Sequence, residues 1–185
     1  MLRPAWIALA RIADIGAQGL AEARRRLGPA DRRRYAAFRS ARRRREFLAG
    51  RWLLQAAARR TRLRFDSAPR GGLRASARNL SASLSHAGGW VACALLEGGR
   101  IGVDVEPMVD RDFAAAGKWA FGRAEGRYAF YERWTRYEAR VKANAEKEEG
   151  FVDRTYRIGN VALSVCAPSG ARLGRPRRLP PRRRA

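Results

Sequence analysis

Two acidic residues, Asp104 and Glu106, lie in a short apolar segment of a strongly basic chain. Ile101, Val103 and Val105 alternate with them, which is the pattern of a strand with one buried face. Both carboxylates then project from the same face, roughly 7 Å apart. Like charges this close favour a cation between them, and Mg²⁺ prefers carboxylate oxygen and water. The alternative is a strand end whose two acids pair with nearby arginines.

A third acid, Glu138, lies on a predicted helix with Lys142 four residues later, so the two side chains share one helix face. Glu138 together with Asp104 and Glu106 would make a three-carboxylate Mg²⁺ site, completed by water and a substrate phosphate. The alternative is an ordinary surface pair of glutamate and lysine.

Ser85 and His86 open a predicted tight turn that ends in two glycines, Gly88 and Gly89. A hydroxyl, an imidazole and accessible backbone amides can together bind an anion. The alternative is a hairpin turn whose histidine bonds the backbone. A Ser-His-Asp hydrolase is disfavoured, because adjacent residues on a strand end point apart and the sequence contains no nucleophile-elbow motif.

Arginines cluster at positions 32–34, 42–45 and 59–64, where they can bind phosphates or form a solvated helix face. Arg45 and Arg51 lie near the apolar stripe of the predicted helix, so we expect these two to face a pocket.

The composition limits the class of protein. The chain has 185 residues, 46% of them hydrophobic, and a formal net charge of +23, which predicts an acidic partner such as nucleic acid, an anionic membrane, a polyphosphate ligand or an acidic protein. Cys93 and Cys166 lie in apolar runs and are expected to be buried thiols, and a single histidine without a CxxC pair argues against zinc. No apolar run approaches the ~20 residues of a membrane span, so we expect a cytoplasmic protein.

The elements that must position these residues follow from periodicity and turn signals. We expect helices over Gln18–Leu27, Asp31–Phe38, Ser40–Arg60, Asp110–Trp119 and Tyr128–Ala145. Strands are expected over Ala5–Ala10, Thr61–Phe65, Leu80–Leu84, Trp90–Leu96 and Arg100–Glu106, with one or two more within Phe151–Val165. The strands Trp90–Leu96 and Arg100–Glu106 are expected to pair antiparallel through a hairpin turn.

Four segments in this order resemble the 4'-phosphopantetheinyl transferases of the Sfp type, over roughly residues 29 to 143. They are RREFLAGRWLL (44–54), LSHAGGWV (84–91), IGVDVE (101–106) and WTRYEARVKA (134–143). The resemblance implies an α+β fold of two similar α/β lobes related by a pseudo-two-fold axis, with the ligand site between them. The lobes would span residues 1–100 and 101–167, followed by a basic tail, 168–185, that we expect to be disordered.

The resemblance also implies an activity and roles for individual residues. Phosphopantetheine would move from coenzyme A to a serine of an acidic acyl or peptidyl carrier protein, releasing adenosine 3',5'-bisphosphate, and the enzyme would be a monomer without nucleic-acid or membrane partners. Metal ligands would be Asp104, Glu106 and Glu138, and CoA would be bound by Arg45, Arg51, Ser85, His86 and Lys142, with Arg34 a further candidate. The proton of the serine would pass to Glu138, Glu125 or a metal-bound water.

Two other hypotheses remain open at this point. Tyr137 occupies a position where the family usually has lysine, so a degenerate protein that binds CoA or a carrier without turnover is one alternative. The other is an arginine-rich nucleic-acid-binding protein, although the sequence contains no recognised nucleic-acid-binding motif.

Overall fold

The computed structural model describes residues 4–61, 65–67, 73–75 and 79–179. The elements in chain order are β1 (Trp6–Arg11), α1 (Ile12–Arg25), α2 (Pro29–Ala37), α3 (Ala41–Thr61), β2 (Phe65–Ser67), β3 (Leu73–Ala75), β4 (Leu80–Ala87), β5 (Trp90–Glu97), β6 (Gly102–Pro107), α4 (Phe113–Phe121), α5 (Arg127–Ala143), β7 (Phe151–Ile158), β8 (Val161–Pro168) and β9 (Arg177–Arg178). The fold is mixed α+β, as the sequence predicts.

Two sheets form the centre of the molecule. The first has the strand order β4-β5-β1-β9 and the second the order β6-β8-β7, while β2 and β3 form a separate pair. The apolar side chains of β1 and β5 that face one way pack with those of β6 and β8 in a core between the two sheets, including Leu9, Leu96, Val103 and Leu163. Buried apolar area of this kind is the main favourable contribution to folding.

Helices cover the outer faces of both sheets. Alternate residues of β1 and β5 face α1 and α3, where Ala8 and Cys93 pack with Leu53 and Leu54. On the other side Ala139 and Ala143 of α5 pack against Cys166 of β8. The order of layers is therefore helices, sheet, sheet, helices, with the two-fold relation between the halves remaining a prediction.

The two sheets meet where β4 lies beside β6, and side chains rather than backbone groups join these strands. The hydroxyls of Ser81, Ser83 and Ser85 accept hydrogen bonds from the amides of Ile101, Val103 and Val105, at 3.3, 3.0 and 3.3 Å. The residue numbers rise together along both strands, so β4 and β6 run in the same direction. These three bonds satisfy amides that would otherwise be orphaned at a buried strand edge. We call this contact the serine seam.

The predicted pairing of β5 with the strand after it is wrong. Both edges of β5 are occupied, one by β4 and the other by β1, so β6 has no edge of β5 to join. It pairs with β8 instead, with Asp104 opposite Ser164.

The predicted turn at Ser85–Gly89 is also displaced. The strand β4 continues through Ser85, His86 and Ala87, and the hairpin turns only at Gly88 and Gly89, whose φ angles are +50° and +81°. Two consecutive residues with positive φ match the two-residue turn that favours glycine.

The tail expected to be disordered lies along the first sheet as far as residue 179. Leu173 is 8% exposed and belongs to the core between the sheets, and β9 pairs parallel with β1. The sequence of the tail is rich in arginine, but burial of its few apolar side chains holds it in place. Residues 180–185 lie outside the described part.

The long helices agree with the periodicity in the sequence, and most differences concern their ends. The segment Ile12–Arg25 is interrupted at Gly16, whose φ and ψ angles of 66° and 171° are not helical, so the part after this kink begins close to the predicted start at Gln18. The N-cap of α2 is Gly28 instead of Asp31. The strand predicted over Thr61–Phe65 falls largely outside the described residues. No helix of the described segments is both long and apolar enough to cross a membrane.

Candidate functional site

An open cavity of about 390 Å³ lies over the serine seam, between β4, β6 and α5. Its lining consists of Leu84, Ser85, His86, Asp104, Glu106, Trp134, Glu138 and Lys142. Six of these eight are residues to which the sequence assigned a role in the site. They come from three segments that are as much as 57 residues apart.

Close packing of α5 on β6 brings the helix residues over the strand carboxylates. A Cβ atom on Gly102 would lie 1.9 Å from the carbonyl oxygen of Ala139, so only glycine allows this approach. Ala139 directly follows Glu138, and Lys142 is one turn further on. The absence of a side chain at Gly102 therefore determines how far Glu138 and Lys142 stand from Asp104.

Asp104, Ser85 and Lys142 form a hydrogen-bonded group at the base of the cavity. Lys142 Nζ donates to Asp104 Oδ1 at 2.6 Å and to Ser85 Oγ at 3.0 Å, while Ser85 Oγ donates to Asp104 Oδ1 at 2.8 Å. Ser85 Oγ also accepts from the amide of Val105, so its lone pairs and its proton are engaged. This serine holds the carboxylate and the ammonium in place and is not arranged as a nucleophile.

The carboxylates of the cavity repel one another. Burial raises the pKa of Glu106 to about 7, and the negative charges of Asp104 and Glu138 add to the rise while Arg111 and Lys142 oppose it. Asp104 is 4% exposed, and its Oδ2 is buried without a hydrogen-bond partner among the described residues. A buried carboxylate oxygen without a partner is unfavourable unless a cation or donor is bound to it.

These features fit a hard divalent cation. Carboxylate oxygens are the donors that Mg²⁺ prefers. Asp104 Oδ2 has no hydrogen-bond partner among the described residues, and Glu106 is partly buried near two other acids, Asp104 and Glu138. Within the described ranges, no three His, Cys, Asp or Glu side chains already stand close enough together to hold a metal ion. The ammonium of Lys142 is the cation that Asp104 Oδ1 binds in this arrangement.

His86 lies at the α3 end of the cavity, and its surroundings include residues that sequence reasoning missed. Its Nδ1 is 3.6 Å from Oε2 of Glu46, and the side chain is 37% exposed. Burial lowers the pKa of His86, the Glu46 carboxylate raises it, and the positive charges of Arg43 and Lys142 lower it further.

The predicted arginine contacts do not lie in the cavity. Arg51 is 5% exposed and forms a bidentate pair with Asp31, at 2.5 and 2.7 Å, while stacking over Phe47. Arg45 is exposed on α3, away from the lining. Arg34 is exposed near Phe47, at 6.0 Å from the ring centre.

The helical period places Arg43, and not the predicted Arg45, on the face of α3 that packs against β4. A Cβ on Gly50 would lie 3.2 Å from Leu84, so the Gly50 face of α3 packs on β4. Arg43 and Glu46 lie seven and four residues before Gly50 and share its face, whereas Arg45 lies on the opposite side.

Glu125 does not line the cavity, and two arginines bind one of its carboxylate oxygens. Its Oε1 accepts from Arg123 Nε at 2.8 Å and from Arg133 Nη1 at 3.0 Å. These hydrogen bonds hold the pKa of Glu125 below its usual value, which makes the carboxylate a weak proton acceptor.

The chain matches no protein-family model, and no curated protein matches it.

Proposed function

We propose that this protein transfers 4'-phosphopantetheine from coenzyme A to a serine of an acyl or peptidyl carrier protein. The observation that carries the proposal is the meeting of Ser85, His86, Asp104, Glu106, Glu138 and Lys142 in one cavity. These residues belong to three motifs that are far apart in the sequence. Random surface residues from three segments would rarely converge on a single concavity.

The cavity offers complementary groups to a pyrophosphate with a divalent ion. Asp104, Glu106 and Glu138 would hold Mg²⁺. When bound, this ion would neutralise charge on the pyrophosphate and make the nucleotide phosphate a better leaving group. Lys142 would contact the phosphates, and His86 would contact the nucleotide portion of CoA. Trp134 stacks parallel on Phe130, with ring centres 6.4 Å apart, and presents a rigid wall to the ligand.

The reaction itself is one displacement at phosphorus. The carrier serine oxygen forms a bond to the phosphorus next to pantetheine, the bond from that phosphorus to the bridging oxygen breaks, and adenosine 3',5'-bisphosphate leaves. The serine proton goes to a carboxylate of the cavity, and we assign this role to Glu138. Glu125 is the weaker candidate because two arginines bind its carboxylate outside the cavity.

The charge and the layers of the fold support the rest of the proposal. A net charge of +23 would accelerate the encounter with an acidic carrier protein. Each main sheet has helices on its outer face, and the cavity lies where the sheets meet, which supports two lobes with the ligand between them. The protein would work as a monomer in the cytoplasm, where CoA and apo-carriers are available.

The test is the intact mass of an apo-carrier protein after incubation with this protein, CoA and Mg²⁺. We expect a gain of one phosphopantetheine group that is lost with EDTA and in Glu138→Ala. Glu132→Ala is the matched control, because Glu132 is an exposed acid of α5 that pairs with Arg136 and does not line the cavity.

A folded protein that leaves fatty-acid, polyketide and peptide carriers all unmodified would contradict the proposal. Binding of CoA by that same sample would then support the degenerate, non-catalytic alternative. Binding of nucleic acid that weakens steeply with salt and ignores Mg²⁺ would support the other alternative.

A further inference from the structure

The buried carboxylate of Glu46 lies close to Nδ1 of His86, the only histidine of the chain. The Glu46 side chain is 9% exposed, and its Oε1 accepts from Arg42 Nη1 at 3.1 Å. Its Oε2 is buried without a hydrogen-bond partner in the described part of the chain and lies 3.6 Å from Nδ1 of His86. At this distance the two atoms are in ion-pair range but are not hydrogen-bonded.

Glu46 is unusual because removing a carboxylate from water is costly when one of its oxygens is left unpaired. The contact of Gly50 with Leu84 packs α3 on β4 and brings Glu46 against His86. Its Oε2, which has no hydrogen-bond partner in the described part of the chain, faces the imidazole of His86.

The state of His86 in the ligand-free protein does not suit anion binding. Burial holds the pKa of His86 below its ordinary value, so near neutral pH the ring is uncharged and carries one proton. A proton on Nδ1 would face Glu46 and leave Nε2 as an acceptor, which repels a phosphate oxygen. In the other neutral tautomer Nε2 carries the proton, and the lone pair of Nδ1 faces the Glu46 carboxylate, which is unfavourable. The doubly protonated ring is therefore the form that can donate to both Glu46 and an anion in the cavity.

We propose that Glu46 is a positioning residue that holds the Nδ1–H of His86 and stabilises the doubly protonated ring when a phosphate of CoA binds at Nε2. The inference rests on the proposed function and adds to it that ligand binding takes up one proton at this end of the cavity. Glu46 touches no ligand and acts only through the histidine.

The other charged groups around the ring act in the opposite direction or belong to the rest of the site. Arg43 on α3 and Lys142 on α5 disfavour the charged ring. The acids that share the cavity are Asp104 and Glu106 of β6 and Glu138 of α5. Glu46 is the acid directly opposite Nδ1, so its removal should lower the pKa of the His86 ring more than removal of Asp104, Glu106 or Glu138 would.

The single histidine makes a direct test simple, because its ring signals need no assignment. The ring pKa is measured by NMR in the wild type and in Glu46→Gln, each with and without adenosine 3',5'-bisphosphate and without metal. In the wild type we expect the ligand to raise the pKa of the His86 ring. As pH rises from the ring pKa of the free protein to that of the complex, the affinity for the ligand should fall by up to tenfold per pH unit. In Glu46→Gln we expect a lower ring pKa and about tenfold weaker binding near pH 6.

Two further variants separate this role from a structural one. Glu46→Asp retains the charge and should restore part of the pH dependence. Arg42→Ala removes the exposed partner of Glu46 and should leave the ligand-induced rise in ring pKa intact, since Arg42 is 75% exposed and outside the cavity.

The possible failures are distinguishable. If the ligand binds to a folded Glu46→Gln with wild-type affinity, ring pKa and pH dependence, the inference is overturned and the proposed function stands. If neither the wild type nor the variant binds adenosine 3',5'-bisphosphate or CoA, the proposed function fails and the phosphate-linked role of Glu46 fails with it. The ring pKa of the ligand-free pair would then still show whether Glu46 supports the imidazolium.

Discussion

At the scale of single residues, the lining of the cavity combines three acids, Asp104, Glu106 and Glu138, with one lysine, Lys142. Asp104 has one oxygen bound to Lys142 and Ser85, and the other has no hydrogen-bond partner among the residues that the structure describes. Glu106 has its pKa raised to about 7 by burial and by its neighbours. Both properties make the ligand-free protein sensitive to pH and to added cations.

The raised pKa of Glu106 predicts how stability depends on pH. Its ordinary pKa is 4.5, so the folded state binds the proton more tightly than the unfolded state. Stability from this group is present below pH 4.5 and is lost as pH rises toward 7. Glu106→Gln should therefore raise the melting temperature of the metal-free protein at pH 8 and change it little at pH 4. An equal shift at both values would mean that charge is not the cause.

Replacement of Lys142 should increase the affinity of the cavity carboxylates for a divalent metal ion. Lys142→Met frees Asp104 Oδ1 from a competing ammonium, so Mn²⁺ should bind the protein about threefold to tenfold more tightly in the absence of CoA, while CoA binds more weakly. The magnitude follows from the value of about 1 kcal/mol for a partly exposed ion pair. Calorimetric titration measures both affinities, with Lys118→Met on the exposed face of α4 as control. Weaker Mn²⁺ binding by Lys142→Met would refute this competition.

At the scale of the elements, the site depends on how closely α5 approaches β6. The carbonyl of Ala139 occupies the space that a side chain at Gly102 would fill. The hydroxyl of Thr135 also bonds Ser164 at 2.7 Å beneath the helix, and both side chains are fully buried. The helix is therefore fixed to the second sheet by both a close backbone contact and a buried polar pair.

Gly102→Ala should force the helix away from the strand. The clash is with backbone, which cannot move aside cheaply, so we expect a loss of about 1–3 kcal/mol in the free energy of unfolding. Urea denaturation measures this loss. Gly126→Ala is the control, because a Cβ there meets no atom within 4 Å and the φ angle is −83°. A Gly102→Ala protein as stable as the control would show that α5 is loosely packed.

The elements also show where sequence reasoning succeeds. Alternation at Ile101, Val103 and Val105 correctly placed Asp104 and Glu106 on one face, because the side-chain period of a strand is two. The spacing of Glu138 and Lys142 placed the two side chains on one face of a helix, and both line the same cavity.

Sequence reasoning failed where contacts between distant parts of the chain determine the end of a strand or the partner of a side chain. Ser85 and His86 have turn-forming neighbours, but the adjacent strands extend β4 through them. Arg51 was assigned to a pocket, whereas its partner Asp31 lies in another helix, and a pairing across 20 residues leaves no local signal. The position of Glu46 beside His86 likewise depends on which face of α3 meets β4, and the contact of Gly50 with Leu84 becomes visible only in three dimensions.

At the scale of the whole molecule, the C-terminal segment ties the two sheets together on the side away from the serine seam. The carbonyl of Leu173 accepts hydrogen bonds from Arg154 and Tyr156 of β7, at 2.5 and 3.3 Å. The amide of Ala5 donates to the carbonyl of Arg172 at 3.0 Å, and β9 extends the first sheet. The segment therefore contacts both sheets and serves a structural purpose.

Leu173→Ala should destabilise the whole fold. The side chain is 8% exposed in the core between the sheets, and truncation of a buried leucine costs about 2–3 kcal/mol at a site that can partly collapse. Val152→Ala on β7 removes a 39% exposed side chain and should cost much less. Chemical denaturation compares the two. Equal, small losses would show that the segment does not contribute to the core.

The serine seam couples the contact between the sheets to the chemistry of the cavity. A backbone ladder joins two strands through peptide groups alone, whereas here each link is a side-chain hydroxyl that a single substitution removes. Ser85 is the last of these links and also a partner of Asp104 and Lys142. The same hydroxyl therefore belongs both to the contact that joins the two sheets and to the base of the cavity.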